Sequence, residues 1–277
     1  MTRGVTIGYP TPMLDHIFRV RRRRAILAGP FPEEWREHLR GAIPYDDLTG
    51  EERSRIEDLV RIFVAEKRFE GCEELEIDDE KRLTIAAMAC YMALGLDDDV
   101  YNGVETILLY PESYLVPEED EQTGRAIPGT EEERSGEAAY HGPVVLSWED
   151  IVEDIENAGD GTAVVYHEFA HEIDMLDGAI DGTPPLGSDD LRRRWGEAFG
   201  RALEELREAA NLDEETFLDP YGAEDEAEFF AVAVEAFFSA PADFQEEHPD
   251  LYLLLREYFG QDPAGRSGPG DDPEIGS

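Results

Sequence analysis

The sequence predicts an α+β fold, mostly helical, with a small sheet set between two helical regions. Apolar residues recur at helical spacing before residue 95 and again after residue 188. Between about 100 and 148 the segments are instead rich in Val, Ile, Leu and Tyr and bounded by Pro and Gly, the signature of strands. A third observation is the run from Val164 to Asp174, an apolar helix that carries two histidines and follows the strand region.

The elements follow in order. Residues 1–30 hold the one basic cluster, Arg19 and Arg21 to Arg24, in a frame of Met13, Ile17, Phe18, Val20, Ile26 and Leu27. This segment reads as a basic helix packed against an acidic body, with docking of an acidic partner as the alternative. Pro32 opens a short helix to Leu39. Thr49 and Glu52 form a capping box, and the helix they open has Ile56, Leu59, Val60, Phe63 and Val64 on one stripe. A more apolar helix runs from Asp79 to Leu94.

Strands are expected over Val104 to Tyr110, Tyr114 to Val116 and Gly142 to Trp148, with the polar connection from Glu118 to Ala139 a hairpin or loop. The Gly142 to Leu146 strand is a candidate sheet edge, where an extended peptide could add as a further strand. Ser147 caps the next helix, through Ile155. Further helices are expected over 188–210, 225–239 and 248–260. Residues 31–263 are read as a single domain, and 264–277, rich in Gly, Pro and acid, as a disordered tail.

The charge is extreme: 24 basic against 66 acidic residues give −42 over 277 residues, and only Lys67 and Lys81 are lysines. Nucleic acid and anionic membrane are excluded as direct partners, since both are polyanions. The acids run along the whole chain, as expected of a halophilic protein from a salt-accumulating cytoplasm, where molar salt cuts the screening length to ~3 Å. Melting is therefore expected at lower temperature in low salt than in molar KCl; identical melts would contradict this. Cys72 and Cys90 form no metal or redox spacing. No secretory pattern opens the chain and no run approaches 18 apolar residues, so a soluble cytoplasmic protein is expected.

The chemistry lies in His167-Glu168-Phe169-Ala170-His171. On a helix the two histidines, four apart, share a face and can hold one Zn²⁺, and Glu168 stands beside the ion as a general base. Asp174 lies on the same face, either orienting a ligand imidazole or simply solvated. A catalytic zinc needs a third ligand, and Glu228 and Glu235 are acids on an otherwise apolar helix. Seven residues apart, roughly 10 Å, they cannot both bind the ion; one should support the site instead.

The order of features resembles the Mlc titration factor A family of zinc-dependent, glucose-regulated peptidases. The resemblance rests on Phe31-Pro32-x-x-Trp35, Val64 to Cys72, Thr106 to Pro111, Gly142 to Trp148, His167 to His171, Tyr221-Gly222-Ala223, Glu228 to Val232 and Gln261-Asp262-Pro263. It implies a zincin-like, gluzincin fold with a small mixed sheet beside the active-site helix, one zinc per chain and aminopeptidase-type hydrolysis of peptides. It also implies a transcriptional repressor as a possible partner. The family's Tyr-x6-Glu falls on Tyr221 and Glu228. By resemblance His167, His171 and Glu228 are the metal ligands, with Glu235 in reserve, Glu168 the base and Tyr221 the donor to the developing oxyanion. The alternative function is a binding protein that sequesters the repressor, with catalysis secondary or absent.

Overall fold

The computed structural model describes residues 12–120, 125–134, 136–138 and 142–266. Helix α1 (Pro12–Ile26) is followed by α2 (Trp35–Ala42), α3 (Gly50–Glu66), strand β1 (Arg68–Gly71) and α4 (Asp79–Met92). The strand region holds β2 (Thr106–Tyr110), β3 (Tyr114–Asp120), β4 (Arg125–Arg134), β5 (Gly136–Ala138) and β6 (Val144–Ser147). Then come α5 (Trp148–Glu156), α6 (Val164–Asp174), α7 (Asp189–Asn211), α8 (Glu226–Ser239), α9 (Pro241–Glu247) and α10 (Pro249–Phe259). The fold is α+β, mostly helical, as expected. Among the described residues no helix is long and apolar enough to cross a membrane.

Local chemistry sets the helix starts. The Thr49 hydroxyl accepts from the Glu52 amide while the Glu52 carboxylate accepts from the Thr49 amide, closing the capping box of α3. Ser147 caps α5 and Ser188 caps α7 through the amides three residues on. The basic helix α1 packs on the acidic body: Arg19 reaches Asp99 at 2.7 Å, and Arg23 reaches Glu66 at 2.9 Å and Asp99 at 2.7 Å.

The four-stranded sheet has the order β1-β2-β6-β5, with β1, β2 and β6 parallel and β5 antiparallel to β6. β1 was not expected. Its four residues, Arg-Phe-Glu-Gly, lack an apolar run, and its strand exists because it pairs with β2. The candidate edge is also corrected: Gly136 to Ala138 of β5 pair with Leu146 to Val144 of β6, so the strand is covered on that side. The strand expected over Tyr114 to Val116 runs on to Asp120 as β3 and pairs with β4, which lies inside the Glu118 to Ala139 connection, in a separate two-stranded sheet.

The helices bury the site's supports. Phe63 of α3 lies 5.8 Å from Phe169 of α6, ring centre to ring centre, and Tyr101 packs edge-on to Phe169 at 4.9 Å. Eleven residues of α8 are buried, and Phe237 packs among Phe238, Phe244, Tyr252 and Phe259. α9, unannounced in the sequence, is a short helix that starts at Pro241 after the non-helical Ala240. Packing continues past residue 263: Pro263–Gly265 form a 3-10 turn, and Arg266 donates to Glu52 and Gln261 at 3.0 Å. Residues 264–266 therefore belong to the body and not to the tail expected over 264–277. Residues 267–277, the rest of the expected tail, lie outside the described residues, as do residues 1–11.

Candidate metal centre

α6 and α8 lie against each other and bring together residues more than sixty positions apart. Helical spacing puts His167 and His171 on one face of α6, with Nε2 atoms 3.2 Å apart. From α8, Glu228 Oε2 lies 3.0 Å from His167 Nε2 and 3.5 Å from His171 Nε2. Three donors at ~2.0–2.2 Å from a tetrahedral ion lie roughly 3.3–3.6 Å from one another, so these separations fit one small cation. Among the described residues this is the one group of His, Cys, Asp and Glu donors that could hold a metal ion. The neutral imidazole nitrogens and a carboxylate oxygen are the donor set that zinc takes.

The electrostatics call for a cation here. Burial disfavours the His167 imidazolium, but Glu228 and Glu235 override it and hold its pKa well above the ordinary histidine range. The Glu228 carboxyl, despite burial, is lowered to about 2 by His167 and His171. A positive charge between these atoms is therefore strongly favoured, and a divalent cation supplies more of it than a proton. Glu168 has the opposite character. Burial pushes its pKa up to about 7 against the pull of both histidines, and among the described residues its buried Oε2 has no hydrogen-bond partner. A carboxyl poised near neutrality beside a cation site suits a proton carrier.

Glu235 does not join the donors. Its Oε1 lies 2.6 Å from His167 Nδ1, on the far side of the ring from Glu228, and its Oε2 accepts from the Ala163 amide at 2.7 Å. The reserve ligand thus stands behind His167. Asp174 follows neither reading made for it. It is fully buried, and its Oδ2 accepts from the amides of Asp181 and Gly182 at 3.0 and 2.9 Å. It ties down the loop after α6 instead of meeting solvent or an imidazole. Asp154 of α5 had no motif to mark it; its Oδ2 accepts from the Val164 amide at 2.7 Å.

Tyr221 sits on the 3-10 turn Pro220–Ala223, its ring 6.0 Å from that of His167. Asp219 fixes the turn by accepting from the Tyr221 amide at 2.8 Å. Gly222 lets the turn press on α7 and α8: a Cβ there would come within 3.3 Å of Val232 and 3.4 Å of Leu206. The ring is held at the site's rim, 44% exposed.

A second close approach fixes where α8 begins. Gly182 has φ +69°, and a Cβ on it would lie 2.0 Å from the Glu226 carbonyl oxygen, two residues before Glu228. Gly182→Ala is expected to cost at least ~1–2 kcal/mol from the left-handed backbone alone, and more from the clash. The unfolding midpoint in denaturant should fall, and metal affinity with it, because relief of the clash displaces Glu228.

The sequence pattern of the glucose-regulated metallo-peptidase M90 family matches residues 17–260. The chain is 36% identical over 244 residues to an uncharacterised protein of Synechocystis sp., covering 87% of this chain and 89% of the other. It is 33% identical to the Mlc titration factor A of Escherichia fergusonii over 83% of this chain and 86% of that one. The Mlc titration factor A of Pectobacterium atrosepticum is 30% identical, over 83% and 88%.

Proposed function

The chain belongs to the glucose-regulated metallo-peptidase M90 family, and on that premise we propose that it is a zinc-dependent peptidase of aminopeptidase type, zincin-like in fold and cytoplasmic. The observation that carries this is the convergence of His167, His171 and Glu228 beside a buried Glu168 whose pKa burial pushes up to about 7.

In this reading His167 Nε2, His171 Nε2 and a Glu228 oxygen hold one zinc ion. When bound, the ion lowers the pKa of water at the site and polarises the scissile carbonyl. Glu168 takes the proton from the attacking water and passes it to the leaving amine, so that each turnover restores its carboxylate. Tyr221 donates its hydroxyl proton to the carbonyl oxygen as negative charge grows there, a donor of a kind worth ~3–4 kcal/mol. The acidic surface favours substrates with a free amino terminus or basic side chains.

The name of the enterobacterial relatives favours a second role, sequestration of a repressor protein. The two roles separate in one experiment. Protein kept in molar KCl is loaded with zinc or stripped by chelation, then given aminoacyl and peptidyl chromogenic substrates. The proposal expects turnover by the loaded form alone. A loaded protein that cleaves nothing on the panel would leave repressor binding as the function.

A further inference from the structure

His167 and the first turn of α6 share one support. Glu235 Oε1 lies 2.6 Å from His167 Nδ1, and Glu235 Oε2 accepts from the Ala163 amide at 2.7 Å. Ala163 is the N-cap of α6 and has no side chain able to cap it. One carboxylate on α8 therefore serves both the start of the helix and the imidazole one turn along it. We propose that Glu235 is a positioning residue that fixes the His167 tautomer while it anchors the α6 N-terminus. This rests on the proposed metal centre and deepens it.

Both Glu235 oxygens must accept, one from a backbone N–H and one from the imidazole Nδ1–H. With the proton held on Nδ1, Nε2 presents a lone pair on the side where His171 and Glu228 converge. A glutamine at 235 has one acceptor and one donor. If its oxygen takes the imidazole proton, its NH₂ faces the Ala163 N–H and the helix start loses its partner. If its oxygen takes the Ala163 amide, its NH₂ faces Nδ1, the proton moves to Nε2, and the ligand lone pair is gone.

Asp154 provides the comparison. It too holds the start of α6, through the Val164 amide at 2.7 Å, yet no bond joins it to His167 among the described residues. Loss of helix anchoring alone would make Asp154→Asn and Glu235→Gln alike. A tautomer role separates them.

The test is zinc affinity by competition with a chromogenic chelator in molar KCl, on wild type, Glu235→Gln and Asp154→Asn, with melts of the stripped proteins. Glu235→Gln should bind zinc 10- to 100-fold more weakly, the range typical of lost support behind a ligand histidine, roughly. Asp154→Asn should stay within about threefold of wild type while melting lower. Wild-type zinc affinity in Glu235→Gln would overturn the proposal; no zinc binding by wild type would instead overturn the metal centre beneath it. Should Glu235→Gln fail to fold, ¹⁵N-histidine NMR of zinc-loaded wild type decides. A downfield His167 Nδ1 proton protected from solvent exchange is expected, and a freely exchanging one would overturn the assignment.

Discussion

Glu168→Gln is expected to lose ~10²–10⁴-fold in kcat, the usual contribution of a positioned general base, while still binding zinc. Glutamine matches glutamate in size and cannot carry a proton between water and amine. The same change should leave the fold intact. Burial raises the Glu168 pKa to about 7, so the folded, metal-free protein holds a proton there that the unfolded chain releases near the ordinary 4.5. The folded state then binds more protons across that interval, and this group's contribution to stability falls as pH rises from about 4.5 to about 7. Stripped Glu168→Gln should therefore lose less stability than stripped wild type over that range. Melts of both proteins at several pH values check the stability, and single-turnover hydrolysis checks the chemistry. Undiminished turnover in the variant would remove Glu168 from the reaction.

Phe237→Ala carries the largest expected cost in stability. Phe237 is fully buried, with rings of Phe238, Tyr252, Phe259 and Phe244 at 4.9, 5.1, 5.8 and 6.5 Å. Removing it takes away its burial and leaves a cavity among aromatic rings, which typically costs ~3–5 kcal/mol. Its partners lie on α9, α10 and α8 itself, and two residues back Glu235 stands behind His167. The loss should therefore appear as a lower unfolding midpoint in urea, with zinc affinity kept at urea concentrations where the variant remains folded. A change below about 1 kcal/mol would mean that this cluster does not hold α8.

Much of this arrangement was legible in the sequence, and the illegible part has a common cause. α3, α5, α7 and the two histidines of α6 were readable because caps and helical spacing act within four residues. The choice between Glu228 and Glu235 was not readable in the residues themselves. Two helical turns put both on the face toward α6, and only the docked helices show that they meet opposite nitrogens of one imidazole. Asp174 was misread for a similar reason: the spacing aims it along the His171 face, but the amides of Asp181 and Gly182, brought back by the following loop, capture it. Asp154 is one acid among 66, and its role exists only because α5 ends beside the start of α6. β1 and β5, four and three residues long, owe their existence to their neighbours.

Whether His167, His171 and Glu228 hold one metal ion is decided by anomalous diffraction at the zinc edge from crystals of zinc-loaded protein. A single peak is expected, ~2.0–2.2 Å from His167 Nε2, His171 Nε2 and a Glu228 oxygen, with Glu235 behind the first imidazole. A peak ligated by Glu235 in place of Glu228, or no peak between α6 and α8, would contradict it.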